Sequence, residues 1–400
     1  MNKHQRINKI RIQLLTEKRV TVAELAHQLA VSERTVRRDL KELADNGIAS
    51  LFFGGAELIN VGSSERFQEA GIKTIMSNLA IPDEQISSST QVNHTDVYVL
   101  GSFNIDIVSE VDLFPKRGET IHSLSTGFYP GGKGSNQATA ASKVSKAVHF
   151  TTKIGQDEFG QKAKNYLAST DINSFNTLED PEQPTGNAMI MVELQSGENI
   201  ITIDLGANST IMEDELTNEF AHIHDSKVFL TQLENNFDIT KMALEYARRS
   251  PALVMLNPAP YRSEVSEIVH LVDIITPNET EAESLTGITI EGLASARLAA
   301  ERLFEMGPKA VIITLGAKGC LYYNGERHQE FKPFKAVVTD TSGAGDSFNG
   351  SLAACIAQGH TIEYSIRYAN AFASLAVERK GAANMPSAEL VEARLSQQEF

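Results

Sequence analysis

Apolar residues recur along the chain with two different patterns, and the change between them divides it. Over the first sixty residues the spacing is helical. Ile7, Ile10, Leu14 and Leu15 mark one amphipathic helix. Thr21, with Glu24 three residues on, has the form of a capping box and opens a helix whose Leu25, Ala26 and Leu29 make an apolar stripe. After a turn at Ala30-Val31, Ser32 caps a further helix that ends before Gly47, with Val36, Leu40 and Leu43 on one buried face. The opposite face of that helix carries Arg34, Thr35, Arg37, Arg38 and Lys41. Ile48–Leu58 reads as a small hairpin turning at Gly54-Gly55.

From about residue 61 to 93 no period is sustained. Gly62-Ser63-Ser64, Ser87-Ser88-Ser89-Thr90 and the helix-breaking Pro82 mark a flexible connection, with room for a short helix within Glu65–Leu79. From residue 94 onward short, continuous apolar runs take over: Val97–Leu100, Lys227–Thr231, Ala252–Leu256, Asp273–Thr276 and Ala310–Leu315. Helical stretches such as Ile239–Arg249 and Leu293–Met306 lie between them. Strands alternating with helices predict an α/β domain over 94–400 with a central, mainly parallel sheet flanked by helices. Ligands in such domains collect at the carboxyl ends of the strands.

The charge distribution follows the same division. Net charge is −15 over 400 residues, yet residues 1–60 hold ten Lys and Arg against seven Asp and Glu, a balance of +3. The remainder holds 26 against 44, a balance of −18: a basic module precedes an acidic body. The two cysteines, Cys320 and Cys355, lack metal-ligand spacing and predict a reducing compartment. The start of the chain shows no signal-peptide pattern, and no apolar run has the length of a membrane span, so the expectation is a cytoplasmic protein. Helix, short turn and basic helix form the helix-turn-helix arrangement, whose second helix enters the major groove of DNA. The bland alternative is an oligomerisation module with a solvated basic face.

The candidate chemistry of the large domain centres on Asp340-Thr341-Ser342-Gly343-Ala344-Gly345-Asp346. Small residues at a helix start let backbone N–H groups approach an anion, and Asp346 beside them is placed to act as a base. The alternative is a glycine-rich turn capped by an aspartate. Asn104 and Asp106, two residues apart after the first strand, share a face if the run is extended and suit the vicinal hydroxyls of a sugar, or else form an Asx turn. Gly131-Gly132-Lys133-Gly134-Ser135-Asn136-Gln137 is a glycine-rich loop opening a helix, without Walker A spacing. The acidic cluster around Asn278, Glu279, Glu281 and Glu283 suits a magnesium ion held largely through water, or is the acidic first turn of a helix. Thr314 to Gly319 is a strand running into a small-residue turn that could line a nucleotide.

Gly131–Ala138, Asn278–Glu281 and Asp340–Asp346 resemble the motifs of the PfkB sugar kinases, and Gly101–Asp106, Asn257–Pro260 and Arg379–Ala382 resemble the ribokinase branch of that family. Val31–Leu40 with Gly54-Gly55-Ala56 resembles the winged helix-turn-helix of DeoR-type repressors, over about residues 4–58 of a domain placed at residues 1–60. The resemblance implies a ribokinase-like fold with a small β lid near Ile107–Tyr129 and Asn187–Ile203, which in this family also pairs two copies into a homodimer. It implies ATP-dependent phosphorylation of D-ribose at O-5, with Asp346 as base and the amides of Gly343, Ala344 and Gly345 as anion hole. Asn104, Asp106, Gly132, Lys133, Asn136 and Glu234 would hold the sugar. Asn278, Thr314, Gly316, Ala317, Lys318, Gly319, Gly345 and Asn370 would line ATP, with Asn278 and Glu281 ordering magnesium. Asp340, Ser342, Ala376, Arg379 and Gly381 would hold potassium, mostly through backbone carbonyls. In the basic module Thr35, Arg37 and Arg38 would face bases or phosphates, with Arg34 and Lys41 at phosphates. The second reading is a sugar-sensing transcription regulator with little kinase activity; within the kinase class, deoxyribose or a related sugar is the alternative substrate.

Overall fold

The computed structural model describes residues 6–7, 9–10, 13–14, 19–45, 49–52, 54–58 and 95–397. The chain divides into two compact units, Met1–Val92 and Asn93–Phe400. The connection expected over 61–93, with its short helix within Glu65–Leu79, lies outside the described residues, as do Leu15 and Gly47.

In the first unit, β1 (Arg19–Thr21), α1 (Val22–Gln28), α2 (Glu33–Asp45), β2 (Ala49–Phe52) and β3 (Gly55–Leu58) follow in order. The strands form an antiparallel sheet in the order β1-β3-β2, so the expected hairpin gains a third strand too short to be read from sequence. Thr21 caps α1, its Oγ1 accepting the Glu24 N–H at 3.3 Å. Glu24 reaches back to the Thr21 hydroxyl, at 2.6 Å, rather than to its backbone amide. Ser32 Oγ likewise accepts the Thr35 N–H and starts α2. Ile10, Leu14, Leu25, Val36, Leu40 and Leu43 meet in one core, as their spacing predicted. Asp39 is fully buried on α2 and accepts both Nε and Nη2 of Arg6, a fork-shaped pair that fixes α2 from the opposite side to its basic face.

The second unit is built on nine strands in the order β16-β15-β14-β13-β12-β11-β4-β7-β8. Along the chain these are β4 (Thr95–Leu100), β7 (Val148–Gly155), β8 (Ser174–Asp180), β11 (Ser226–Thr231), β12 (Leu253–Leu256), β13 (Ile274–Ile275), β14 (Ala310–Thr314), β15 (Cys320–Tyr323) and β16 (His328–Phe331). Neighbours from β14 to β8 are parallel, and β15 and β16 close one edge antiparallel. A separate four-stranded sheet, in the order β10-β9-β5-β6, comprises β5 (Asn104–Val111), β6 (Ser125–Gly131), β9 (Asn187–Glu193) and β10 (Asn199–Asp204). Val97, Val99 and Phe150 face one side of the large sheet and pack on Ala138 and Ala141 of α3 (Lys133–Ser142) and Leu352 and Ala353 of α9 (Ala344–Ala357). The intervening Tyr98 and His149 face the other side, as strand alternation requires, and stack with His222 of α5 (Glu213–Asp225). The remaining helices are α4 (Glu158–Ser169), α6 (Phe237–Ala247), α7 (Glu279–Thr286), α8 (Leu293–Glu305), α10 (Ile362–Ala376) and α11 (Ala388–Ser396).

One contact decides where the chemistry goes. A Cβ on Gly350 would lie 2.1 Å from the backbone oxygen of Gln137, so only glycine lets α9 and α3 cross this closely. The crossing brings the first turns of both helices together, each preceded by its glycine-rich loop. Among the described residues no helix is long and apolar enough to cross a membrane.

Candidate active site

At the start of α9, Gly343 is the N-cap residue in the left-handed region, with φ 73°. A Cβ there would also lie 2.7 Å from the Ala382 carbonyl oxygen, so the loop requires glycine on two counts. The Ala344 N–H closes a turn on the Thr341 carbonyl at 3.2 Å. The amides of Gly343 and Gly345 have no acceptor among the described residues, and the space beside Gly345 is open. Two unengaged donors at a helix N-terminus suit an anion. Asp346 follows, 7% exposed, its Oδ2 accepting from Asn136 Nδ2 and its Oδ1 from Gln137 Nε2, both at 3.0 Å.

Asn104 and Asp106 lie on β5, so the extended geometry that puts them on one face is present. Asn208 donates through Nδ2 to Asn104 Oδ1 at 2.9 Å and to the Phe103 carbonyl at 3.0 Å, while its Oδ1 accepts the Phe103 N–H. That leaves the Asn104 NH2 group to face a ligand. Residue 131 stands opposite Asn104 in the β5–β6 register, and a Cβ on Gly131 would lie 2.4 Å from both Asp106 carboxylate oxygens. Gly132, at φ 90°, similarly admits the Asn104 backbone. Glu234, buried, accepts the Lys133 N–H at 3.1 Å and the Ser102 hydroxyl.

The charges of these groups reach one another. Burial, then Glu234 and Asp346, pushes the Asp106 carboxyl up to about 7. Burial alone would lower the Lys133 ammonium, but Asp346, Glu234 and Glu281 outweigh it and hold it above its ordinary value. Burial raises Glu281, helped by Asp346 and opposed by the Asn278 amide and Lys133. Glu234, Glu281 and Asp346 thus act on a single ammonium, an excess of negative charge that suits added cations.

Asn278 and Glu281 form a reciprocal capping box at the start of α7: Asn278 Oδ1 accepts the Glu281 N–H at 2.8 Å, and Glu281 Oε2 accepts the Asn278 N–H at 2.9 Å. The acidic-turn alternative is therefore realised in part, with Glu281 Oε1 outside the box. Thr314 ends β14 beside Asn278, its N–H on the Pro277 carbonyl at 3.0 Å. Gly316, Ala317 and Lys318 make one 3-10 turn, Lys318 pairs with Glu279 at 3.0 Å, and Gly319 at φ 92° leaves no room for a Cβ beside the Phe331 carbonyl. Asn370 on α10 reaches Cys320 Sγ at 3.5 Å. Asp340 binds two loops together, accepting the Ser342 N–H at 2.8 Å and the Gly381 N–H at 2.9 Å; the Ala376 carbonyl accepts the Arg379 N–H nearby.

The family model of the pfkB family carbohydrate kinases matches residues 94–389. The chain belongs to the PfkB family of carbohydrate kinases. Among curated relatives, it is 38% identical over 284 residues to a ribokinase of Haemophilus influenzae, covering 71% of this chain and 92% of the relative. It is 32% identical over 303 residues to a deoxyribokinase of Salmonella typhi, covering 75% of this chain and 99% of the relative. Among solved structures, ribokinase from Thermotoga maritima superposes with a TM-score of 0.67 at 36% identity, covering 76% of this chain and 99% of that one. Arabidopsis thaliana ribokinase complexed with ribose and ATP gives 0.68 at 30%, covering 75% and 98%. The second unit is accordingly a ribokinase-type sugar kinase. Residues 6–61 match the DeoR-like helix-turn-helix domain. There Arg34, Arg37, Arg38 and Lys41 are exposed on α2 and Thr35 is half-buried; Arg37 pairs with Glu33 at 2.8 Å.

Sequence reasoning missed Asn208, Gln137, Gln232 and Asn349, all buried amides at the kinase site. Gln137 stood inside a motif already singled out, directly after Asn136. The others carried no signal.

Proposed function

We propose that this PfkB kinase phosphorylates D-ribose at its terminal O-5 hydroxyl, with ATP as donor and Asp346 as the base. The observation that carries the reading is the buried Asp346 carboxylate in the first turn of α9, directly behind the unengaged Gly343 and Gly345 amides. The O-5 oxygen attacks the γ-phosphorus, its proton passes to Asp346, the bond to the β-phosphate oxygen breaks, and ADP leaves. The two amides stabilise the charge on the transferring phosphoryl group. Asn104, Asp106, Gly132, Lys133, Asn136 and Glu234 hold the sugar. Thr314, Gly316, Ala317, Lys318, Gly319 and Asn370 line ATP.

The excess of carboxylates fits a divalent ion, which would supply charge neutralisation on the phosphates; Asn278 and Glu281 would order magnesium, partly through water. Asp340, Ser342, Ala376, Arg379 and Gly381 offer hard oxygen donors on two loops that Asp340 already joins, a set that fits potassium. A homodimer through the four-stranded sheet is supported by Met189, Ile200, Ile201 and Ile203, all exposed there. The first unit would bind DNA through Arg34, Thr35, Arg37, Arg38 and Lys41, making the chain a regulator as well as a kinase, acting in the cytoplasm.

A coupled ADP-release assay with magnesium and potassium, across ribose, deoxyribose, fructose and adenosine, tests the substrate. Turnover strongest with ribose is expected. Strongest turnover with deoxyribose would move the substrate to that of the Salmonella relative. Binding of ribose without turnover on any sugar would favour the sensor.

A further inference from the structure

We infer that Gln137 is a positioning residue for Asp346, and that a closed circuit of buried side chains ties that carboxylate to the phosphate loop. The inference rests on the assignment of Asp346 as base and extends it to residues that do not touch the substrate. Gln137 Nε2 donates to Asp346 Oδ1 and to Asn257 Oδ1, each at 3.0 Å. Asn257, at the end of β12, donates through Nδ2 to the Thr276 carbonyl at 3.2 Å. The Thr276 hydroxyl, at the end of β13, donates to Asn349 Oδ1 at 2.5 Å. Asn349, one turn along α9, donates through Nδ2 to the Gly345 carbonyl at 2.9 Å. The path leaves from Asp346 and returns to the residue before it.

Two backbone carbonyls fix the amide orientations, and the Thr276 hydroxyl, which also lies 3.3 Å from the Leu256 carbonyl, makes its shorter contact to Asn349. Backbone carbonyls only accept, so the Thr276 and Gly345 carbonyls require the NH2 groups of Asn257 and Asn349 to face them. Each amide then turns its oxygen inward. The Asn257 oxygen needs a donor, which among the described residues only the Gln137 NH2 group supplies. Behind it, Gln232 Nε2 donates to Gln137 Oε1 at 2.6 Å. A flipped Gln137 would set its oxygen against the Asp346 carboxylate and the Asn257 oxygen together. Gln137, Asn257, Thr276 and Asn349 are 0, 6, 2 and 1% exposed, so every link is shielded from bulk solvent. Three strand ends and two helices thereby fix one carboxylate relative to the Gly343–Gly345 amides, which is the pre-organisation that in-line transfer needs.

The test replaces Gln137 by methionine, similar in volume but unable to donate, with Asn257→Leu as a second break in the circuit and Asp346→Asn as control. Purified full-length proteins are compared by steady-state kinetics with ribose, MgATP and potassium, by calorimetric ribose binding without ATP, and by thermal midpoint. The expected result for Gln137→Met is a kcat lower by on the order of 10- to 100-fold, with ribose affinity within about twofold. The rate profile against pH is recorded for both variants as a second readout. Asn257→Leu should lower kcat in the same sense by a smaller factor. If both folded variants keep wild-type kcat and pH profile while Asp346→Asn is inactive, the positioning inference falls and the base survives. If Asp346→Asn itself turns over normally, the base assignment falls and the inference with it. Loss of ribose binding in parallel with kcat in both variants would mean a general structural role and would also overturn it.

Discussion

Asn208 Nδ2 lies 2.9 Å from Asn104 Oδ1 and 3.0 Å from the Phe103 carbonyl, so one buried amide fixes both the strand end and the orientation of a side chain proposed to hold the sugar. Replacing Asn208 by alanine frees the Asn104 amide to flip and leaves the Phe103 groups unpaired. The expected outcome is a rise of about tenfold in the KM for ribose, equivalent to ~1.4 kcal/mol, with a smaller change in kcat. Steady-state kinetics at saturating MgATP checks this; an unchanged KM would contradict it.

Asp106, pushed up to about 7 by burial and by its carboxylate neighbours, should make sugar binding depend on pH near neutrality. In its proposed role as an ionised acceptor of sugar hydroxyls it would gain strength as pH rises through about 7, so ribose affinity should improve from pH 6 to pH 8. Its sign for stability is opposite: with a raised folded value, the contribution is intact below the ordinary value of 3.8 and lost as pH rises through about 7. Asp106→Asn should flatten both dependences. Calorimetric binding at several pH values in one buffer system would show it, and an equal slope in the variant would exclude Asp106 as the source.

Glu219 supplies a separate test of the fold, on the sheet face away from α3. Burial would raise it, but hydrogen bonds from His149, Asn176 and Thr151 hold it down to about 2. With a depressed folded value its stabilising contribution is present above the ordinary 4.5 and lost as pH falls towards 2. Glu219→Gln should therefore reduce the dependence of stability on pH below about 4.5, read from urea midpoints. No change in that dependence would contradict the assignment.

How much of this was legible follows from what sequence patterns record. Thr21 and Ser32 announced two helices because capping is local, and Val36, Leu40 and Leu43 announced a core because a helix repeats. Gly343 to Asp346 was legible because close backbone approach admits so few residue types. Gln137 and Asn349 were silent as network members because each sits inside a helix, where a buried amide and a solvated one look alike until the facing helix is known. Asn208 contacts Asn104 across more than a hundred residues, and β1 spans only three residues. Asp39 looked like one more charge on a basic helix; its burial depends on Arg6, thirty-three positions earlier.

Arg37 and Arg38 carry the DNA-binding proposal. The double change Arg37→Ala with Arg38→Ala should weaken binding to an operator fragment, lower the slope of log affinity against log salt by about 2 if both arginines meet phosphates, and leave ribose turnover unchanged. Fluorescence anisotropy across a salt series measures both quantities. Equal affinity would point instead to the solvated face of an oligomerisation module.

The proposed proton transfer from the attacking hydroxyl to Asp346 is tested by ribose turnover of Asp346→Asn, measured beside calorimetric ribose binding by the same protein. A fall in kcat on the order of 10³-fold with ribose binding retained is expected. Wild-type turnover in that variant would contradict it.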